Sequence, residues 1–333
     1  MHLQDKCLRV GAVAIGCAVL LRLLSGGAVG NFIRAISAQQ VLSAVVFLET
    51  GRVIKPADTA TTPTETAAPT VAETTAPTVG KEEPVKAVFG ESDADLVAVN
   101  SVCGYDADVS DLLEKPLQWD LTADEPTVLI IHTHGTESYQ KTENYTESSA
   151  YRTRNTKYNV VSVGARLKKQ LEKAGISVLH DKTMHDSPSY SAAYPNARES
   201  VEKYLKKYPS IRLVLDVHRD SVEDSAGREM DFDVTVAGKK VAKLMFVVGT
   251  DAGGFDHPNW PQNMALAVKL HAQLEKNTAG ICRSISFRSQ RFNQDLSPGF
   301  LIVEVGSAGN TRAEALRAAD LLAAGIVDLA GGT

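Results

Sequence analysis

The chain has 333 residues, of which 44% are hydrophobic, and it carries a formal net charge of −5. This length is enough for one good-sized domain with additional segments. The mild acidity argues against a nucleic-acid-binding protein, which would normally carry a basic surface. Four cysteines lie far apart, at positions 7, 17, 103 and 282, without the spacing of a cysteine-rich metal site. Cys103 and Cys282 are compatible with a disulfide in an exported domain and equally with two buried thiols.

Residues 1–34 predict a membrane anchor. Between Arg9 and Arg34 lie 24 residues, of which only Arg22 is charged. As a helix this run spans roughly 36 Å, enough to cross a bilayer core of about 30 Å. Lys6 and Arg9 precede the run, and no convincing cleavage site of small residues follows it. We therefore expect an uncleaved, single-pass anchor in the cell membrane, with the rest of the chain outside the cytoplasm. The alternative is an N-terminal buried helix.

The next three segments differ from one another in composition. Residues 35–54 contain a short apolar stretch, 41–48, which is too short to span a bilayer. Residues 55–87 are rich in Thr, Ala and Pro without apolar periodicity, which predicts an extended, solvated linker. Residues 88–126 are acidic and weakly patterned, and they form either a partner-binding segment or an added edge of the following domain.

Residues 127–333 alternate between short apolar runs and amphipathic stretches, which predicts one folded domain. The fold class we expect is α/β, with a mostly parallel central sheet flanked by helices. The predicted strands are 128–132, 176–179, 213–217, 243–248 and 301–305, and the predicted helices are 160–171, 197–208, 263–276 and 314–329.

Three of the apolar runs end in histidine or glutamate, which predicts a metal site. His134 and Glu137 form an H-x-x-E pair after the first run, His218 ends a second, and Glu304 lies in a third. Polar residues at the C-terminal ends of buried strands meet at one edge of a sheet. Two histidines and one carboxylate are the ligand set of a mononuclear zinc hydrolase, in which a separate glutamate moves the protons. His132 lies two residues before His134, so on a strand both would face the same side, and His132 is either a further ligand or a residue that orients one.

Three polar residues on or next to these strands have predicted roles in the site. Burial in an apolar strand should raise the pKa of Glu304, which suits a proton-transferring group, and the alternative is a structural ion pair with Arg288 or Arg291. Asp216 lies two residues before His218 and could fix the tautomer of that imidazole. Arg219 either binds a substrate carboxylate or carbonyl or forms a surface ion pair with Asp220 or Glu223.

Six stretches of this domain resemble the stage II sporulation protein P family, a family of peptidoglycan hydrolases of endospore-forming bacteria. They occur in the family's order across residues 127–330, and the N-terminal anchor and linker are similar as well. The matching stretches are IIHTHGTESY at 130–139, YNVVSVG at 158–164, HDSPSY at 185–190, LDVHRDS at 215–221, NQDLSPG at 293–299 and EVGSAGNT at 304–311.

This resemblance implies a zinc-dependent N-acetylmuramoyl-L-alanine amidase with the fold of zinc amidases, and it also implies endopeptidase activity. It assigns His134 and His218 as zinc ligands and Glu304 as the catalytic glutamate. It further implies that the protein acts on peptidoglycan with sporulation proteins D and M, in septal thinning and engulfment. In related amidases the carboxylate ligand often lies further along the chain, so Glu143 and Glu147 remain alternatives to Glu137.

The function we expect is therefore hydrolysis of the amide between N-acetylmuramic acid and L-alanine. A zinc carboxypeptidase or endopeptidase that cuts stem peptides is the alternative, because the same ligands serve both reactions. A third interpretation, from a different class, is a catalytically idle wall-binding scaffold.

Overall fold

The computed structural model of the chain describes residues 89–117 and 120–331. The predicted anchor (1–34), the short apolar segment (35–54) and the linker (55–87) therefore lie outside the described residues. No helix in the described ranges combines the length and apolarity that are needed to cross a membrane. The strands are β1 Val99–Ser101, β2 Val128–Ile131, β3 Val178–His180, β4 Leu213–Asp220, β5 Asp233–Val236, β6 Lys239–Ala242, β7 Leu244–Gly249, β8 Ile285–Arg288 and β9 Phe300–Ser307. The α-helices are α1 Val109–Glu114, α2 Val160–Lys173, α3 Ala193–Lys207, α4 Trp260–Asn277 and α5 Arg312–Leu329.

Seven strands form one sheet in the order β1-β8-β7-β9-β4-β2-β3, and β5 and β6 form a separate hairpin. All neighbouring strands of the large sheet run parallel except β7 and β9, which are antiparallel. The predicted α/β fold with a mostly parallel sheet is therefore confirmed. The antiparallel pair divides the sheet into two parallel halves, and β4 and β9 of one half carry four of the predicted site residues: Asp216, His218, Arg219 and Glu304.

The helices begin and end where local chemistry favours it. Asn159 caps α2 by accepting a hydrogen bond from the Val161 amide, and Thr311 and Glu314 form a reciprocal capping box at the start of α5. Helix α3 begins at Ala193, four residues earlier than its apolar pattern predicts, and includes Pro195. Proline is tolerated there because the first turn of a helix has no intrahelical acceptor for its N–H groups.

The two faces of the sheet are covered unequally. One face, formed by residues such as Leu215, Phe246 and Val303, packs in a single large core against α1, α2, α4 and α5. On the other face, Ala197 and Val201 of α3 cover only the part formed by β2, β4 and the start of β9. Across β7 and β8 this second face therefore forms the floor of a groove.

Residues 89–117 pack onto the same domain. Strand β1 pairs with β8 and forms one edge of the sheet, and Lys276 of α4 forms an ion pair with Asp93 at 2.9 Å. Cys103 and Cys282 are both free thiols. Cys103 follows the end of β1, whereas Cys282 precedes the start of the parallel strand β8, so the two thiols lie at opposite ends of paired strands. A disulfide between them would require Cα atoms within about 7 Å, which this register does not allow.

Candidate metal centre

The turn after β2 and the end of β4 bring three side chains with metal-binding groups together. His134, Glu137 and His218 each offer one ligand atom, and these atoms lie within 4.8 Å of one another. The Nδ1 atom of His134 is 3.5 Å from Oε1 of Glu137, and the Nδ1 atom of His218 is 3.4 Å from Oε2 of the same carboxylate. The two carboxylate alternatives lie elsewhere, because Glu143 pairs with Arg312 at 2.6 Å and Glu147 with Lys141 at 3.5 Å.

Glu137 is held in its ionised form at this position. Burial opposes its ionisation, but the charge of Arg219 and the contacts with His134 and His218 hold the pKa of Glu137 well below its usual range. The backbone amide of Arg219 also donates a hydrogen bond to Oε2 at 3.2 Å. A carboxylate that stays charged while it is buried between two imidazoles fits a group that binds a cation.

His218 is positioned from its other side by Asp216, which shares its face of β4. The Nε2 atom of His218 lies 2.9 Å from Oδ1 of Asp216, an ion-pair distance without the alignment of a hydrogen bond. The backbone amide and the hydroxyl of Thr133 donate to the two oxygens of Asp216 at 2.7 and 2.5 Å. Burial raises the pKa of Asp216, but His218 and Thr133 outweigh that effect and lower it to about 2. Burial lowers the pKa of His218, but the carboxylates of Asp216 and Glu137 outweigh that effect and raise it well above its usual value.

His132 lies away from this cluster. Its Nδ1 atom is 2.8 Å from the carbonyl oxygen of Val217, and its Nε2 atom is 2.9 Å from Nε2 of His180. Helix α2 passes so close that a Cβ atom on Gly164 would lie 2.6 Å from Nε2 of His132. The expectation that His132 and His134 face the same side assumed that the strand extends through both residues. Strand β2 ends at Ile131, so the two-residue alternation stops before His132.

Glu304 lies beside the cluster on the neighbouring strand. It pairs in register with His218 across β4 and β9, and its Oε2 atom is buried without a hydrogen-bond partner among the described residues. The alternative of a structural ion pair with Arg288 or Arg291 is not found among the described residues, where Glu304 forms no ion pair and Arg291 pairs with Asp295 at 3.2 Å. Burial raises the pKa of Glu304 to about 8, and the charge of Glu137 adds to that effect while His218 opposes it. A carboxyl group with a pKa near neutrality can both accept and release a proton.

Arg219 is buried and does not form its predicted surface ion pair. The side chain is 6% exposed, its Nε donates to the carbonyl oxygen of Ser138, and one terminal nitrogen donates to that of Tyr151, both at 2.9 Å. Asp220, its predicted surface partner, instead pairs with Arg283 at 2.7 Å. Arg219 therefore joins the loop after β2 to the end of β4, and its contact with substrate stays a prediction.

A group of residues that was not predicted from the sequence fixes the turn carrying His134. Asp186 accepts hydrogen bonds from the Thr136 amide and hydroxyl and forms an ion pair with Arg152 at 3.0 Å. The Arg152 guanidinium lies 4.7 Å from the ring centroid of Tyr190, and that ring stacks on His134 at 4.6 Å. The stretch at 185–190 contained a signal for two of these residues, although nothing in its pattern indicated which side chains they would contact.

The three clustered side chains fit a zinc ion. Ligand atoms placed tetrahedrally at about 2.0–2.1 Å from zinc are about 3.4 Å apart, and the contacts of Glu137 with the two histidines measure 3.5 and 3.4 Å. The donor set of two imidazoles and one carboxylate also matches that of hydrolytic zinc sites, which keep one coordination position open.

Fold and site together define an α/β protein with a His-Glu-His cluster beside a buried glutamate at the edge of a mostly parallel sheet. The model of the family named Stage II sporulation protein P matches residues 47–327. The chain therefore belongs to the stage II sporulation protein P family, as its sequence predicted.

A relative and two solved structures illustrate the similarity. The chain is 30% identical over 251 residues to Stage II sporulation protein P of Bacillus subtilis strain 168, which covers 72% of this chain and 59% of that protein. The match thus spans less than two thirds of the length of this relative. An N-acetylmuramoyl-L-alanine amidase of Nostoc punctiforme aligns with a TM-score of 0.37 at 14% identity, over 61% of this chain and 96% of its own. The CwlD amidase of Clostridioides difficile, solved with the GerS lipoprotein, aligns with a TM-score of 0.39 at 9% identity, over 61% and 98%.

Proposed function

We propose that the chain is a zinc-dependent N-acetylmuramoyl-L-alanine amidase, which hydrolyses peptidoglycan during septal thinning and engulfment in sporulation. The single observation that carries this proposal is the placement of Glu304 in register with His218, beside the His134–Glu137–His218 cluster. Membership of the sporulation family supports the peptidoglycan substrate and the biological setting.

The residues of the site divide into metal-holding and proton-moving groups. His134, Glu137 and His218 would hold the zinc ion, which supplies Lewis-acid activation of a carbonyl group and of water when it is bound. The Glu304 carboxylate takes a proton from the attacking water and passes it to the nitrogen of the leaving L-alanine. Asp216 keeps the His218 ring in place during this transfer through its contact with Nε2.

Product analysis tests this proposal directly. The full-length chain is incubated with purified wall fragments, and the products are identified by mass spectrometry. Free lactyl ends on muramic acid together with intact stem peptides establish the amidase reaction, whereas cleaved stem peptides establish the carboxypeptidase or endopeptidase instead. Chelation should abolish the reaction and added zinc should restore it. Full activity in a metal-free preparation contradicts the zinc mechanism, and binding to fragments without any cleavage indicates the scaffold.

The proposal includes the location and partners of the protein. Residues 1–34 would anchor it in the cell membrane and residues 55–87 would act as a linker, so that the catalytic domain works outside the cytoplasm on the adjacent wall. The proposed partners are peptidoglycan and, through the family resemblance, sporulation proteins D and M. Co-purification of these two proteins with the full-length chain from sporulating cells measures the association.

A further inference from the structure

A groove of about 640 Å³ begins at the metal cluster and continues across the open face of the sheet. Its floor consists of alternate residues of three adjacent strands, which therefore point to the same side. These residues are Ile302 and Glu304 of β9, Met245 and Val247 of β7, and Ser286 and Arg288 of β8. The other residues of these strands, such as Phe246 and Phe287, face the large core beneath. The groove is thus built into the sheet and starts at the candidate active site.

Arg288 differs from the other arginines that line this groove. Arg152 forms ion pairs with Asp186 and Glu137, and the Arg219 guanidinium is bound to two backbone carbonyl groups. The Arg288 side chain is exposed, and it has no hydrogen bond or ion pair to any residue in the described ranges. Its positive charge therefore faces the groove without a partner among these residues, and a guanidinium binds a carboxylate with two parallel hydrogen bonds.

The strand register gives the distance from Arg288 to the reacting group. Glu304 pairs with Met245 on β7, and Arg288 pairs with Gly249, four residues further along the same strand. At about 3.3 Å per residue along the strand and about 4.8 Å for each of two strand spacings, the two Cα atoms are roughly 16 Å apart. An extended peptide that starts at the cut amide covers most of this distance with three residues, and the side chains of its third residue and of Arg288 cover the rest.

The charges in the groove give it a direction. Glu223 and Glu229 line the side next to β4, where they would repel an acidic ligand. The unpaired cation lies at the other end, on β8. An acidic peptide is therefore favoured in only one orientation, in which its carboxylates point away from β4 and toward Arg288.

We propose that Arg288 is a specificity-determining residue that binds the side-chain carboxylate of the third residue of the stem peptide. This inference rests on the proposed function, because it takes the cut amide to lie at Glu304. It assigns a substrate class to the site: muropeptides whose third residue carries a free side-chain carboxylate, as opposed to a carboxamide or an amine.

The test compares kcat/KM of the full-length chain on three synthetic muropeptides with the same sugar and sequence. The first has free carboxylates throughout, the second carries a carboxamide on the side chain of its third residue, and the third carries a carboxamide at its second residue. The variants are Arg288→Gln, Arg288→Lys and, as a matched control, Arg154→Gln, which removes an exposed arginine that does not line the groove.

For the unmodified chain, we expect amidation of the third residue to reduce kcat/KM by about 10- to 100-fold, as for a lost charge-assisted hydrogen bond. Arg288→Gln should reduce kcat/KM to the same extent on the fully acidic substrate and should cleave it and the third-residue amide equally well. Arg288→Lys should keep part of the preference, and Arg154→Gln should keep all of it.

The possible failures are distinguishable. If the unmodified chain cleaves none of the three substrates, the proposed amidase function fails. If it cleaves all three equally, or if Arg288→Gln keeps the preference, the amidase stands and the role of Arg288 is wrong. Sensitivity to the second-residue carboxamide alone also overturns the assignment, because that position lies short of the distance set by the strand register.

Discussion

The raised pKa of Glu304 predicts how its replacement changes stability with pH. In the metal-free chain this pKa rises from 4.5 to about 8, and burial of the carboxyl group is the largest cause. A difference of this size corresponds to an upper limit of about 5 kcal/mol. Glu304 is only partly buried as a residue, so relaxation and water penetration should reduce this to about 2–3 kcal/mol. Glu304→Gln removes the ionisable group while it keeps the size of the side chain, so it should stabilise the metal-free fold by about that amount at high pH.

The sign and the pH range follow from proton linkage. Below pH 4.5 both the folded and the unfolded chain hold the proton, so the substitution should have little effect on stability. As the pH rises toward 8, the unfolded chain releases the proton and the folded chain keeps it, so the unmodified protein loses stability that Glu304→Gln retains. Above about pH 8 the difference should level off.

Urea unfolding in the presence of a chelator, at pH 4 and at pH 8.5, measures this difference. With saturating zinc the difference at pH 8.5 should shrink, because a nearby cation favours the ionised carboxylate. Stabilities that differ equally at both pH values would refute the reasoning, because they would show that Glu304 is not buried as a neutral acid. Glu314→Gln is not a suitable control, since Glu314 caps α5. The exposed Glu199→Gln on α3 is suitable, and it should show no pH-dependent difference.

Three other predictions address parts of the site and the chain. Asp216→Asn should weaken zinc affinity by about 10- to 100-fold in equilibrium competition with a chelator, because it removes the charge beside His218 Nε2. An unchanged affinity would show that Asp216 only accepts hydrogen bonds from Thr133 and does not support the zinc ligand. Gly164→Ala should lower the free energy of unfolding in urea by about 1–3 kcal/mol, since its Cβ would lie 2.6 Å from His132, and a stabilised variant would mean that helix propensity outweighs the contact. Protease added to intact protoplasts should remove the catalytic domain. Protection of that domain would show that it lies on the cytoplasmic side of the membrane, opposite to the proposed topology.

The central strands were predictable from sequence because they are buried on both faces. Strands β2, β4 and β9 begin with the apolar runs VLII, LVL and FLIV, which are typical of parallel strands covered on both faces. Strands β1 (VNS) and β8 (ISFR) were missed because they carry exposed, polar residues in place of an apolar run. Short strands near an edge of a sheet lack a long apolar run, and their pairing depends on contacts distant in sequence.

The same distinction separates the parts of the site. His134, His218 and Glu304 lie near one another, as predicted, because each lies in or shortly after a recognisable strand. Arg152 and Tyr190 reach the cluster from loops, whose paths no periodic pattern specifies. His132 was misplaced for a related reason, since the strand period that was applied to it ends one residue earlier.

The central claim is that the cluster holds zinc and that a separate residue, Glu304, moves the protons. The most direct test measures bound zinc and wall hydrolysis in parallel for the unmodified chain, His218→Ala and Glu304→Gln. We predict that Glu304→Gln retains one zinc ion per chain while turnover falls by about 10²- to 10⁴-fold, the scale of a lost general acid–base group. His218→Ala should lose both zinc and activity, because only two protein ligands would remain. An active Glu304→Gln variant, or full zinc binding by His218→Ala, would contradict the account.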